Sequence, residues 1–165
     1  MFSNRISQAL HDEHRETVML MERVEHLVTS HRRAPPDVND PATARFLRDL
    51  ADGVEAEVRR HFDFEEQHLF TFLRTIGDEA IGAHLTDEHT AMRPLGEALA
   101  TLARSGAAEG FDAAQWDQFR RLSLELFERT LAHIQKEEMA LLPLIEDTMD
   151  KETETQLFQD YVGNE

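Results

Sequence analysis

The sequence predicts an all-α protein, an up-down-up-down four-helix bundle followed by a short C-terminal helix. Glycine (7) and proline (5) are scarce among the 165 residues, which favours long helices over strands and turns. Apolar residues recur at steps of three and four along four long segments, so each segment has one stripe that faces a core. Because the connections between the segments are short, consecutive helices should be antiparallel neighbours.

The first two helices have clear ends in the sequence. The first is expected from about Arg5 to Ser30, because the diproline Pro35-Pro36 prevents its continuation. Asp40 is a predicted N-cap, and Pro41 stands at the first helical position, where proline is favoured. The second helix should begin there and run to about Ile76.

The third helix is expected from about Glu79 to Arg104 and should close near Ser105-Gly106. Pro94 lies inside it. Since proline removes one helical hydrogen bond, the helix should bend just past His89.

The fourth helix should open at a capping box formed by Asp112 and Gln115 and end around Met149. A short amphipathic helix is then expected at about 152–162, packed against the bundle. At this length the chain is expected to form a single domain over 1–165, with the bundle at about 5–149.

The composition narrows the classes of function. A net charge of −16 leaves no basic patch for phosphates, so no nucleic-acid partner is expected. The absence of cysteine excludes disulfides, thiolate nucleophiles and cysteine-ligated metal sites. No segment has the length of a signal peptide or of a membrane span, so no membrane partner is expected and a cytoplasmic location is the default.

A repeated pattern of histidine and glutamate organises the chain. His61 and Glu65 stand four residues apart, and the same pair recurs 72 residues later as His133 and Glu137. On a helix, residues four apart share one face, so each pair can grip a metal ion. The first and third helices echo each other too, because the segment that ends at His14 matches the segment that ends at His89.

Two such helical hairpins would bring four imidazoles and two carboxylates to one level of the core. The predicted metal ligands are His14, His61, Glu65, His89, His133 and Glu137. Burial of an ionised carboxylate without a cation would destabilise the fold by roughly several kcal/mol for each of the two groups. Nitrogen and oxygen ligands suit iron or manganese, and suit zinc less well.

If both carboxylates bridge two ions, each ion receives two imidazole nitrogens and two carboxylate oxygens. A bridging oxo or hydroxo group would make five ligands. An octahedral ion then keeps one open position, where a small molecule can bind.

The ordered set of motifs resembles the hemerythrin-like, or HHE cation-binding, domain family over about residues 8–150. The resemblance rests on Asp-Glu-His14, His61-x-x-x-Glu65-Glu66, Glu88-His89 and His133-x-x-x-Glu137-Glu138. It implies a helical bundle around a non-haem di-iron centre that binds oxygen, nitric oxide or peroxide.

One position departs from the oxygen-carrying members, which have a further histidine four residues after the histidine of the third helix. Here that position is Arg93, which cannot serve as a ligand. The remaining set of four histidines and two glutamates is similar to that of the iron–sulfur cluster repair branch. The cysteine-containing N-terminal segment usual in that branch is absent here.

Several neighbouring residues keep two interpretations. His11 could be a fifth ligand or lie at the surface, and His68 could belong to the core or line an access path. Glu66 and Glu138 could be solvent-exposed or support the ligands, and Glu138 could replace Glu137.

Three functions are compatible with the sequence. The first is a di-iron protein that binds a diatomic gas or peroxide in sensing, storage or stress response. The second is a di-iron redox enzyme or an iron donor in the repair of nitrosative or oxidative damage. The third is a metal-stabilised interaction module without turnover. The lone tyrosine, Tyr161, lies in the tail helix, so no proton-transfer residue is evident near the predicted site.

Overall fold

Helices form nearly all of the protein in a computed structural model that describes residues 1–163. No strand occurs among these residues, and none of their helices is long and apolar enough to cross a bilayer. The five helices are α1 (Arg5–Ser30), α2 (41–75), α3 (Ala80–Glu109), α4 (113–148) and α5 (Lys151–Gly163).

The four long helices pack in a ring, in which α1 and α3 each contact α2 and α4. The helices α1 and α2 are antiparallel. Glu13 meets His61 near one end of this seam, whereas Arg23 lies over the ring of Phe46 near the other. This arrangement brings one face of every long helix to a shared interior.

Side-chain caps confirm the predicted starts of α1, α2 and α4. The Asn4 side chain accepts two backbone N–H groups at the start of α1, and the Asp40 carboxylate accepts the N–H of Thr43 at the start of α2. Asp112 and Gln115 form the expected capping box of α4. These side chains satisfy N–H groups that lack a partner inside the helix.

The predicted end of the third helix near Ser105-Gly106 is wrong. The helix α3 continues through Pro94 and Gly106 to Glu109, and it ends at Gly110, whose φ of +77° favours glycine. A Cβ atom on Gly106 would overlap the ring of Phe111. This glycine therefore provides space for a close contact rather than a helix stop.

Two of the long helices contain wider, π-helical turns, which the sequence analysis did not anticipate. In α2 these turns span Glu57–His61 and Glu65–Leu69, and in α4 the turn spans Glu137–Leu141. Each turn begins or ends at a predicted metal ligand. Such turns frequently occur at functional sites.

The apolar core is divided into two clusters along the bundle. One includes Met21, Val54, Val58, Phe62, Met92 and Leu126. The other includes Leu10, Phe64, Leu69, Phe70, Leu85 and Leu141. Along α1 and α3, a predicted ligand lies between a residue of one cluster and a residue of the other, as His89 lies between Leu85 and Met92. The predicted ligands therefore form a polar layer between two apolar layers.

The short helix α5 is fastened to the start of α1 by a buried carboxylate. Glu154 accepts hydrogen bonds from the backbone N–H and the guanidinium of Arg5, and from the ammonium of Lys151. The hydrogen bond from Lys151 lowers the pKa of Glu154 most, whereas burial raises this pKa. With the further hydrogen bonds from Arg5, the pKa is lowered to about 2. Because this folded value lies below the usual 4.5, the ionised carboxylate stabilises the fold above pH 4.5, and its contribution is lost as the pH falls towards 2.

We expect Glu154→Gln to lower the free energy of unfolding by about 1–3 kcal/mol at neutral pH, because it removes charge-assisted hydrogen bonds. The difference from the wild type should shrink as the pH falls from 4.5 towards 2. Urea unfolding at several pH values measures it. Exposed Glu152, on the same helix, provides the matched control Glu152→Gln, and an equal loss in both variants would contradict the prediction.

Candidate metal centre

All four long helices contribute to one polar cluster inside the bundle. None of its six side chains belongs to a residue more than 3% exposed. They are His14 from α1, His61 and Glu65 from α2, His89 from α3, and His133 and Glu137 from α4. The structure therefore brings together all six residues of the predicted ligand set.

The six residues form two overlapping groups that share both carboxylates. His14 and His61 form one group with Glu65 and Glu137, and His89 and His133 form the other with the same glutamates. Within each group the ligand atoms lie within 4.8 Å of one another.

Each carboxylate divides its two oxygens between the two groups. The Oε1 atom of Glu65 lies 3.4 Å from His61 Nε2, and its Oε2 atom lies 3.2 Å from His89 Nε2. The Oε2 and Oε1 atoms of Glu137 lie 2.9 Å from the Nε2 atoms of His14 and His133, respectively. Each carboxylate thus directs one oxygen at each pair of imidazoles.

Most of the converging atoms are buried without a hydrogen-bond partner in the described chain. They include both carboxylate oxygens of Glu65, both of Glu137, and the Nε2 atoms of His14 and His61. Polar atoms this deeply buried are almost always paired, and ionised carboxylates require a compensating cation. The residues present therefore fit a metal centre.

The outward-facing nitrogen of each imidazole is held by another glutamate. The Nδ1 atoms of His14, His61, His89 and His133 donate to Glu138, Glu13, Glu66 and Glu88, at 2.6, 2.6, 2.8 and 2.7 Å. Because each Nδ1 donates outwards, the Nε2 atom of each ring faces the centre. A carboxylate in this position fixes the orientation of a ligand and raises its basicity.

These four glutamates have their own partners nearer the surface. Glu13 accepts a hydrogen bond from Arg60, and Glu66 accepts one from Arg93 at 3.1 Å. The partners of Glu88 and Glu138 are Lys136 and His11, respectively.

Arg93, at the position where the oxygen-carrying members have a further histidine, contacts carboxylates instead. Arg93 also donates to Asp63 at 2.9 Å, so its guanidinium joins two carboxylates of α2. Through Glu66 it supports His89 instead of binding metal.

The charges of the cluster shift the pKa values of its members. Burial lowers the pKa of His14, but the carboxylates of Glu137 and Glu138 outweigh it and raise the pKa to about 9. Burial also lowers the pKa of His133, and Glu137 raises it to about 9. Burial raises the pKa of Glu137, yet the imidazoles hold it well below its usual range. Because the pKa values of His14 and His133 are raised, a metal ion must compete with protons for these two imidazoles.

A surface cleft of about 390 Å³ between α1 and α2 reaches His61. A small inner void lies next to this cleft. The residues that line both the cleft and the void are Thr17, Leu20, Gly53 and Glu57. The void also contacts Val58, Met92 and Thr130, each three residues from a histidine of the cluster. A small space therefore lies within one helical turn of the centre.

The structure distinguishes between the two interpretations given above for Glu66, Glu138, His11 and His68. Glu137 lies in the cluster and Glu138 on its outer side, while His11 lies outside the cluster and contacts Glu138. Glu66 likewise supports an imidazole. His68 is stacked on Phe64 at a ring distance of 5.2 Å and does not join the cluster.

Glu13 and Glu88 support the cluster, although no such role was predicted for them from the sequence. Each directly precedes a histidine of the cluster but supports a histidine of a different helix, His61 and His133, respectively. The signal that could have revealed them is their repetition, since both stand in the Asp-Glu-His segment of their hairpin.

The buried carboxylates provide a test of metal-dependent stability. In the wild type, a bound metal at about 100 times its Kd should stabilise the fold by about 2.7 kcal/mol. The double variant Glu65→Gln/Glu137→Gln should lose this gain, because a neutral amide cannot bridge two cations. Thermal unfolding with chelator and with added metal measures the gain. An equal gain in the double variant would show that the metal binds elsewhere.

Comparisons with known proteins agree with the geometry. The family model described as the hemerythrin HHE cation binding domain matches residues 5–154. Comparison with curated proteins gives no match, and comparison with solved structures gives none. Because the matched segment covers most of the chain and contains all six clustered residues, the protein belongs to the hemerythrin HHE cation-binding domain family.

Proposed function

We propose that the protein is a di-iron protein that binds oxygen, nitric oxide or peroxide at open iron positions, in sensing, storage or stress response. One observation carries the proposal: two fully buried glutamates share their oxygens between two pairs of imidazoles. The proposed ligands are His14, His61, Glu65, His89, His133 and Glu137.

The chemistry of the donor atoms favours iron. Each half of the cluster offers two imidazole nitrogens and two carboxylate oxygens, and the chain has no sulfur ligand from cysteine. Such sets suit iron, and manganese or zinc can occupy similar sites. Bound iron would supply open coordination positions and redox electrons to a small ligand.

The surroundings of the cluster support a small ligand rather than a large substrate. Apolar residues lie on both sides of the polar layer, and they exclude bulk water from it. The void beside Val58 and Met92 is small and lies behind a wall that includes the hydrogen bond from Thr17 to Glu57, at 3.0 Å. We infer that diatomic molecules or peroxide can reach the centre when this wall fluctuates.

The antiparallel contacts of α1 with α2, and of α2 with α3, support the up-down-up-down arrangement. We propose that residues 1–165 form one domain, because α5 is tied to α1 by Glu154 and to α2 by the contact of its Tyr161 ring with Phe64.

The ligand assignment predicts the metal stoichiometry. The wild type should bind two ions per chain, whereas His61→Ala together with His133→Ala should abolish this stoichiometric binding, because each half loses an imidazole. Metal analysis after anaerobic loading with Fe²⁺ measures the ratio. His26 is exposed on α1, so His26→Ala is the matched control and should retain two ions. Two ions bound at full affinity in the double variant would refute the ligand assignment.

The proposed ligand class can be distinguished by optical spectra. Anaerobic iron-loaded protein should show a changed spectrum on addition of oxygen or nitric oxide, and the change should reverse when the gas is removed. Rapid consumption of peroxide with recovery of the initial spectrum would instead favour the redox enzyme. Spectra that are insensitive to all three molecules would leave neither function tenable.

A further inference from the structure

The fifth helix reaches the metal centre through its tyrosine. The phenol of Tyr161 donates a hydrogen bond to Glu13 Oε1 at 2.5 Å. The other oxygen of the same carboxylate, Oε2, accepts the hydrogen bond of His61 Nδ1 at 2.6 Å. Two hydrogen bonds therefore connect α5 to a proposed ligand, and the matched family segment ends at residue 154, before this tyrosine.

This connection distinguishes one branch of the network from the others. Glu66, Glu88 and Glu138 have described side-chain partners that all lie in the four long helices. Glu13 has Arg60 from α2 as well, but it also receives the phenol from α5. The two halves of the centre, which the internal repeat makes alike, are thus supported differently.

The phenol is held in place by contacts on both sides of α5. The Tyr161 ring packs edge-on against Phe64 with ring centres 5.2 Å apart. On the same helix, Asp160 lies 3.6 Å from the imidazole of His68, and Arg5 lies over the ring of Phe158. The helix is therefore docked on both α1 and α2 at the level of Glu13.

We propose that Tyr161 is a positioning residue of the metal centre, which holds Glu13 in the orientation that aims His61 at the ion bound by His14 and His61. This inference rests on the proposed metal binding. It makes α5 a functional part of the centre and gives the two ions unequal support. The occupancy of one ion is thereby coupled to the docking of the C-terminal helix.

The first test measures the affinity of each ion with Zn²⁺, which has no redox chemistry, by competition with a chelator. Tyr161→Phe keeps the ring but removes the hydroxyl. Loss of a group that contacts a ligand directly weakens metal binding by about 10- to 100-fold, so loss of the phenol, one contact further out, should weaken one of the two ions by about threefold to tenfold. Lys136→Met removes the partner of Glu88 and should weaken the other ion. The double variant should therefore weaken both ions.

Asp160→Asn is the matched control for the docking of α5, because it alters the contact with His68 but leaves the phenol in place. It should retain both affinities. Unchanged affinities in Tyr161→Phe, or an equal loss in Asp160→Asn, would overturn the positioning role. So would a double variant in which one ion keeps its wild-type affinity.

The second test uses the fact that the chain has one tyrosine, so that labelling with [¹³Cζ]tyrosine gives a single NMR signal from Tyr161. The signal should shift when two Zn²⁺ ions bind to the wild type. In His61→Ala the remaining ion should leave it unchanged. Two bound ions with an unmoved wild-type signal would overturn this inference alone, whereas failure to bind Zn²⁺, Mn²⁺ or Fe²⁺ would overturn the proposed function with it.

Discussion

Two carboxylates buried in an apolar core impose the strongest constraint on this protein. Glu65 and Glu137 are fully buried, and none of their four oxygens has a hydrogen-bond partner in the described chain. An ionised carboxylate in such surroundings is several kcal/mol less stable than in water unless a cation meets it. Imidazoles from all four long helices surround the pair, so a cation bound there would also link the helices.

The network around the centre shows how a helical bundle can extend the influence of a buried charge to its surface. Each imidazole lies between the centre and a partly exposed glutamate, and each glutamate lies next to a cation or another donor. Negative and positive groups therefore alternate outwards. Arg93 illustrates the consequence, because a residue that cannot bind metal still supports a ligand through Glu66.

The internal repeat produces two similar halves, and the rest of the chain makes them unequal. His61 is supported through Glu13 by Arg60 and by the phenol of α5, whereas His133 is supported through Glu88 by Lys136. The cleft between α1 and α2 also reaches His61. In the proposed two-metal centre, unequal support and unequal access would let the two ions behave differently towards a small molecule.

The sequence by itself determined the helices and the candidate ligands, because both depend on local spacing. Caps such as Asp40 and Asp112 mark helix starts. The duplicated pair of histidine and glutamate, with the repeated Asp-Glu-His segment, predicts the six residues of the cluster. The end of α3 was misplaced, since Gly106 serves a contact with Phe111 that local propensity cannot show.

Only the tertiary structure decided which glutamate supports which histidine. These contacts join helices far apart in the chain, such as Glu13 with His61 and Tyr161 with Glu13. The tertiary structure also brings neighbouring glutamates to opposite nitrogens of one imidazole: Glu137 lies at Nε2 of His14 and Glu138 at its Nδ1.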